Sequence, residues 1–250
     1  MRVLVFILLL IGTANAQPMR FFTGAMGQFA PIVTNGLLYA YDAGNSASSN
    51  GVSPIWYDVS GNGNNAGFSN ATFNTSKGGY INVFGGGYAS NSYLLPSLTG
   101  SYTFCGVLIQ TNNTIPCLSI GSVNDNVWQM AFISNGTNKW RFYAQFSGNI
   151  TKGVDGTINA SATNFSYVVG VVNSGVSISL YVNGTLDQTL SITNTTLLSS
   201  TKGLYINRWS PDQSGLSSNF PFAAVQLYNR VLTTTEITQN YNAMRTEHQF

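Results

Sequence analysis

Charge is what this 250-residue chain has least of. Asp, Glu, Lys and Arg make up 7% of it, where soluble domains usually carry about 25%, and they sum to a net +2. With no Lys/Arg cluster there is nothing to neutralise a phosphate backbone or an anionic membrane, so nucleic acid is excluded as a partner. Histidine occurs once, as His248 near the C-terminus, which argues against a Ser-His-Asp triad. No Cys/His set has zinc spacing. Carboxylates are scattered: Asp42, Asp58, Asp125, Asp155, Asp187 and Asp212 stand singly, with Glu236 and Glu247 in the C-terminal segment. Glycoside hydrolysis needs two carboxyl groups about 5–9 Å apart. The inventory therefore reads as non-enzymatic.

Long apolar runs are absent but for one. Arg2, the apolar run Val3–Ile11 and Ala14-Asn15-Ala16 have the order of a signal peptide over residues 1–16. The run is shorter than the ~20 residues a membrane span needs, so a secreted, extracellular chain from Gln17 is expected, with no span in its mature part. That chain of about 234 residues can build a sizeable core. Aromatics at 13% supply it, and Asn, Ser, Thr and Gly provide solvation in place of charge. Residues 17–34, with Phe21, Phe22 and Phe29 but no clear period, form an N-terminal extension, a strand clasp or a tether.

Cysteine is nearly absent too. Cys105 and Cys117 flank a turn-like centre at Gln110–Thr114, and an odd-loop hairpin there would place both on one face. In an exported chain a disulfide between them is expected, the alternative being two buried thiols. Export also gives meaning to nine N-x-[ST] sequons, at Asn70, Asn74, Asn112, Asn135, Asn149, Asn159, Asn164, Asn183 and Asn194. Asn135 and Asn183, at tight turns, are the best-exposed candidates for glycosylation.

What is present is strand-turn-strand. The run Ser177–Ile192 holds two alternating segments around Asn183-Gly184, the strongest short hairpin signal. A two-residue loop would set Leu180 opposite Asp187. A three-residue loop (Val182, Asn183, Gly184) pairs Leu180 with Leu186 and Val176 with Leu190 on one dry face, which favours the odd loop with Gly184 left-handed. Further strands read at Gly36–Asp42, Gly79–Phe84, Tyr102–Ile109, Ile115–Gly121, Val127–Ser134, Lys139–Ser147, Phe165–Val172, Gly203–Arg208 and Phe222–Asn229. The spacing predicts an all-β fold, an antiparallel two-sheet β-sandwich or jelly roll, with one short C-terminal helix. That helix opens on the capping box Thr233–Glu236 and carries the stripe Ile237, Tyr241, Met244.

Four stretches, GLLYAYDAGN (36–45), WYDVSGNGNN (56–65), LYVNG (180–184) and LYNRVLTTTEITQNYNA (227–243), resemble the concanavalin A-like lectin/glucanase superfamily. The closest branch is the laminin-G-like jelly-roll domain, and the resemblance implies one such domain over residues 35–250. It also shows departures. The glucanase-type E-x-D-x-x-E strand is missing, and the strand before the final Tyr reads Phe220–Gln226 with no acid. The resemblance thus implies a secreted, non-catalytic domain that binds carbohydrate or glycoprotein in lectin-like adhesion. The alternative is a structural or decoration protein of a virion or cell surface that self-assembles.

Two places could serve a ligand. Asp58, Ser60 and Asn62 put oxygens at alternate positions before Gly63, like the first half of a calcium loop, but position twelve is Ser69. Weak calcium binding is one reading and an Asx-turn linking two strands the other; no cofactor is required. Trp209 opens a polar loop beside Arg208 and Asp212, the arrangement by which an exposed ring stacks on a sugar. Trp128 and Trp140 instead share alternating faces with core residues, and Trp56, in the turn-rich stretch 56–65, is expected to pack under that turn.

Overall fold

In the computed structural model, residues 30–91, 100–110, 118–122, 127–134, 138–148, 150–193, 196–197, 203–206 and 220–250 are described. Residues 1–29, which hold the expected signal peptide and most of the extension, and Cys117 lie outside them. The elements run β1 (Leu37–Asp42), β2 (Ile55–Trp56), β3 (Ala66–Asn74), a 3₁₀ turn (Ser76–Gly78), β4 (Tyr80–Ser90), β5 (Tyr102–Leu108), β6 (Leu118–Ser122) and β7 (Val127–Ser134). They continue with β8 (Lys139–Phe146), β9 (Ile150–Asn159), β10 (Ser166–Asn173), β11 (Ser177–Val182), β12 (Thr185–Ser191), β13 (Leu204–Ile206), β14 (Phe220–Tyr228) and helix α1 (Thr234–His248). The expected all-β sandwich with a C-terminal helix is what forms. β3 and β9 are additions: Gly67, Asn70 and Asn74 in the one, Gly153 and Gly156 in the other, disguise strands as loops.

Among the described residues all pairings are antiparallel, in the order β12-β11-β10-β5-β14-β4-β13-β6-β7-β8-β9, with β1 on β14 and β3 on β4. The sheet folds back on itself, so that Phe104 of β5 stacks on Phe132 of β7, ring centres 5.3 Å apart. Between these faces lies the main core, which includes the fully buried Trp56 and Trp140. Strand alternation sends Cys105, Val107, Tyr167, Val169 and Tyr228 to the outer face, where Ile237 and Met244 of α1 cover them as a second core.

The strand order corrects the disulfide expectation. β5 pairs with β10 and β14, and β6 with β13 and β7, so β5 and β6 do not form a hairpin. Cys105 points outward from the main core and is a buried free thiol under α1. Burial pushes it up to about 12.

The hairpin is corrected as well. Val182 pairs with Thr185 and Tyr181 with Leu186, across a two-residue turn whose Asn183 and Gly184 both have positive φ, 51° and 78°. This is the type I′ pattern. A bulge at Asp187 then restores register: Leu180 faces Gln188 and Ile178 faces Leu190. The face is dry only on β11; Leu186 and Leu190 are exposed.

The helix begins as the sequence dictates. Thr233 accepts from the Glu236 N–H, and the Glu236 carboxylate accepts from the Thr233 N–H at 2.8 Å. Arg230 donates to that carboxylate at 2.6 Å and, with the cap donors, holds it down at about 2. Buried Asn240 locks the end of the extension: its Oδ1 accepts from Val33 N–H at 2.8 Å and its Nδ2 donates to Tyr228 at 2.9 Å.

Candidate functional site

The turn after β2 was one candidate. Asp58 Oδ1 accepts from the N–H groups of Ala40 and Ser60, both at 2.9 Å. Its Oδ2 accepts from Ser60 Oγ at 2.8 Å and Asn64 N–H at 2.9 Å. Four donors fill the four lone-pair positions of a carboxylate. Asn62 turns its amide donor to the carbonyls of Leu37 and Leu38 at 3.0 Å. Asp58, Ser60 and Asn62 do meet, but as the Asx-turn that seats this loop on β1, and not as oxygens converging on calcium.

Arg208, Trp209 and Asp212 lie outside the described residues, as do the sequons at Asn112, Asn135, Asn149 and Asn194. The other five sequon asparagines, Asn70, Asn74, Asn159, Asn164 and Asn183, are all exposed.

A cleft that the sequence did not announce opens between loop residues 49–54 and strands β3 and β4. Its volume is about 560 Å³. Asn50 shapes the loop, its Oδ1 accepting from the N–H groups of Val52 and Ser53 at 3.1 and 2.8 Å. Gly51, at φ +74°, lies so flat on Phe73 that a Cβ would stand 2.8 Å from the ring. The half-buried Phe68 and Phe73 and the exposed Phe84 supply ring surface, while Asn70, Thr72 and Ser53 supply amide and hydroxyl groups. Asn70 is turned outward by a bulge, at φ 47°. Among the described residues, none of this lining is ionisable. Such a surface can stack on apolar ring faces and exchange neutral hydrogen bonds; it offers no acid or base.

The third place is where sequence reasoning failed most. Asp42, at the end of β1, meets Glu247 and His248 in the last turn of α1, although the sequence showed its carboxylates as isolated. One ligand atom of each lies within 4.8 Å of the others. Burial, the Asp42 charge and a hydrogen bond to Asp42 push Glu247 up to about 9. Burial opposes ionisation of Asp42, but the neighbouring His248, the Glu247 hydrogen bond and the Gly44 N–H hold it below its ordinary value. The two carboxyls bond directly, leaving no room for a sugar between them. Only separation along the chain, by more than 200 residues, hid this group.

A family model for the concanavalin A-like lectin/glucanase superfamily matches residues 85–238. The chain belongs to this laminin-G-like family. The match covers β5 to the start of α1; the Asp58 turn and every residue lining the cleft precede it. No curated protein matches the chain. Among solved structures, the binding domain of Paraclostridial mosquitocidal protein 1 superposes with TM-score 0.64 at 11% identity, over 84% of this chain and 52% of that one. A structure described as showing that cell entry of botulinum neurotoxin type C depends on interaction with two ganglioside molecules gives 0.61 at 14%, over 84% and 52%. Trypanosoma rangeli sialidase in complex with sialic acid gives 0.63 at 20%, over 87% and 34%. The chain thus spans about half of the toxin domains and a third of the sialidase, and at these identities the likeness is one of fold. Among the described residues no helix is long and apolar enough to cross a membrane.

Proposed function

We propose that this laminin-G-like protein is a non-catalytic carbohydrate- or glycoprotein-binding module that is secreted and acts in adhesion at an extracellular surface. The cleft under residues 49–54 carries the reading: three phenylalanine rings beside uncharged hydrogen-bonding groups suit a sugar ring better than an ion or a nucleic acid. Membership of a lectin-containing superfamily supports it, as does the likeness to toxin binding domains, one of which is described with gangliosides. Residues 1–16 supply the export signal.

A glycan array probed with residues 17–250 tests this. Specific signals that fall at least tenfold in Phe84→Ala, whose ring is 39% exposed, and persist in chelator are expected. An array blank at high protein concentration overturns the reading. If Phe84→Ala leaves signals unchanged, the loop of Arg208, Trp209 and Asp212 becomes the binding face.

One observation favours a second reading, a self-associating structural protein of a virion or cell surface. The adjoining strands β9 and β12 expose Ile150, Ile158, Leu186 and Leu190, between 37% and 48% accessible. Concentration-dependent oligomers in sedimentation would support it; a monomer throughout would remove it.

A further inference from the structure

The cluster at the end of α1 plays no part in the cleft, and its construction is specific. His248 is fully buried, and among the described residues Nδ1 has no hydrogen-bond partner, while Nε2 has only the ion-pair contact with Oδ1 of Asp42 at 3.1 Å, short of hydrogen-bond alignment. A buried imidazole in this state costs stability unless something else satisfies it. Around it the backbones approach to a distance only glycine allows. A Cβ on Gly78 would stand 1.8 Å from the Glu247 carbonyl oxygen, and one on Gly44 would stand 2.4 Å from the Gly78 oxygen and 2.9 Å from Glu247 Oε1. The chain from β1, the 3₁₀ turn and the last turn of α1 are thus closed tightly around the three side chains.

We propose that Asp42, Glu247 and His248 form a binding site for a divalent transition ion of the zinc class. One imidazole and two carboxylates are a borderline donor set that suits zinc, cobalt or nickel, whereas calcium takes six to eight oxygens and no nitrogen. The three atoms already stand within 4.8 Å of each other, and a tetrahedral zinc at its usual bond lengths would draw them to roughly 3.3 Å. Two carboxylates balance the ion's charge, and the fourth position falls to water. Glu247 is half-buried and Asp42 and His248 are buried, so exchange with solvent runs past Glu247. The ion would staple the C-terminal turn to the first strand, joining positions more than 200 residues apart, a structural role independent of glycan binding.

The test is titration of chelator-treated protein, residues 17–250, with zinc and with cobalt. One equivalent of heat, a rise in melting temperature that calcium does not produce, and cobalt d–d absorption of tetrahedral intensity are expected. Glu247→Gln keeps a neutral hydrogen bond to Asp42, so it should fold, and it should bind zinc at least tenfold more weakly; His248→Asn should lose the cobalt spectrum. Absence of a one-to-one binding isotherm in the parent protein overturns the proposal, as does zinc affinity unchanged in a folded Glu247→Gln.

Discussion

Asp187 of β12 accepts the backbone N–H of Thr157 at 3.0 Å and its hydroxyl at 2.6 Å, reaching across to β9 at the other end of the strand order. The same carboxylate accepts from the Ile158 N–H at 3.3 Å. Among the described residues these bonds join the two ends of the sheet where no ladder does, and Asp187 is the bulged residue of β12, without a cross-strand partner on β11. Hydrogen bonds to a charged group each contribute about 1.5–3 kcal/mol, less where solvent competes. Asp187→Ala should therefore cost about 1–2 kcal/mol in urea unfolding, with Asp187→Asn between it and the parent. An unchanged midpoint would mean that the two edges are held by core packing alone.

This bulge also marks where the sequence stops being legible. Alternation correctly showed that a plain two-residue loop would put Leu180 against Asp187, yet two physical solutions exist, a longer loop or an extra residue in the strand. The chain uses the second, because Asn183-Gly184 is so well suited to the I′ turn and Asp187 gains donors from β9. Most strands, the helix, its capping box and the buried Trp140 depend on local pattern and are readable; β3 and β9 are not. Cys105 was not, since its direction depends on which strand lies beside β5. The Asp42–Glu247–His248 group and the cleft depend on the closure of distant segments, and no local spacing reveals them.

The helix cap should respond to acid. Arg230, backed by the Thr233 donors, holds the Glu236 carboxyl at about 2, below its ordinary 4.5. A group with a depressed folded value contributes stability that is present above 4.5 and lost as the pH falls through 4.5 towards 2, because the unfolded chain takes up its proton first. Glu236→Gln can still accept the Thr233 N–H but carries no charge to titrate. Its stability relative to the parent should be lowest near pH 6 and converge with the parent by pH 2. Parallel pH curves for the two proteins would show that the Arg230–Glu236 pair contributes nothing.

Cys105 should be silent in the folded protein. Its thiol is fully buried between the sheet and α1 and sits at about 12, so almost no thiolate exists at neutral pH and no reagent reaches it. Labelling by iodoacetamide without reductant should leave Cys105 unmodified in buffer and modify it in urea, as peptide mapping would show. A Cys105 peptide recovered unlabelled from urea but labelled after reduction would restore the disulfide to Cys117.

Two glycines in strands should behave oppositely on conversion to alanine. At Gly170 of β10 a Cβ would lie 2.3–2.5 Å from the Phe142 ring of β8, across the main core. That ring is fully buried and also packs on Phe132, centres 5.1 Å apart, so it has nowhere to retreat. Overpacking of this kind costs about 1–3 kcal/mol, so Gly170→Ala should lower the melting temperature clearly. At Gly67 of β3 a Cβ meets nothing within 4 Å and the backbone is ordinary for an L-residue. There the substitution acts through the unfolded chain, restricting it, and should stabilise by about 0.4–1 kcal/mol. Equal effects at both sites would mean that glycine's backbone freedom, rather than the closeness of β10 to β8, sets the cost. A Gly170→Ala,Phe142→Leu double variant separates these directly: relief of part of the loss would place the cost in the contact between the two faces.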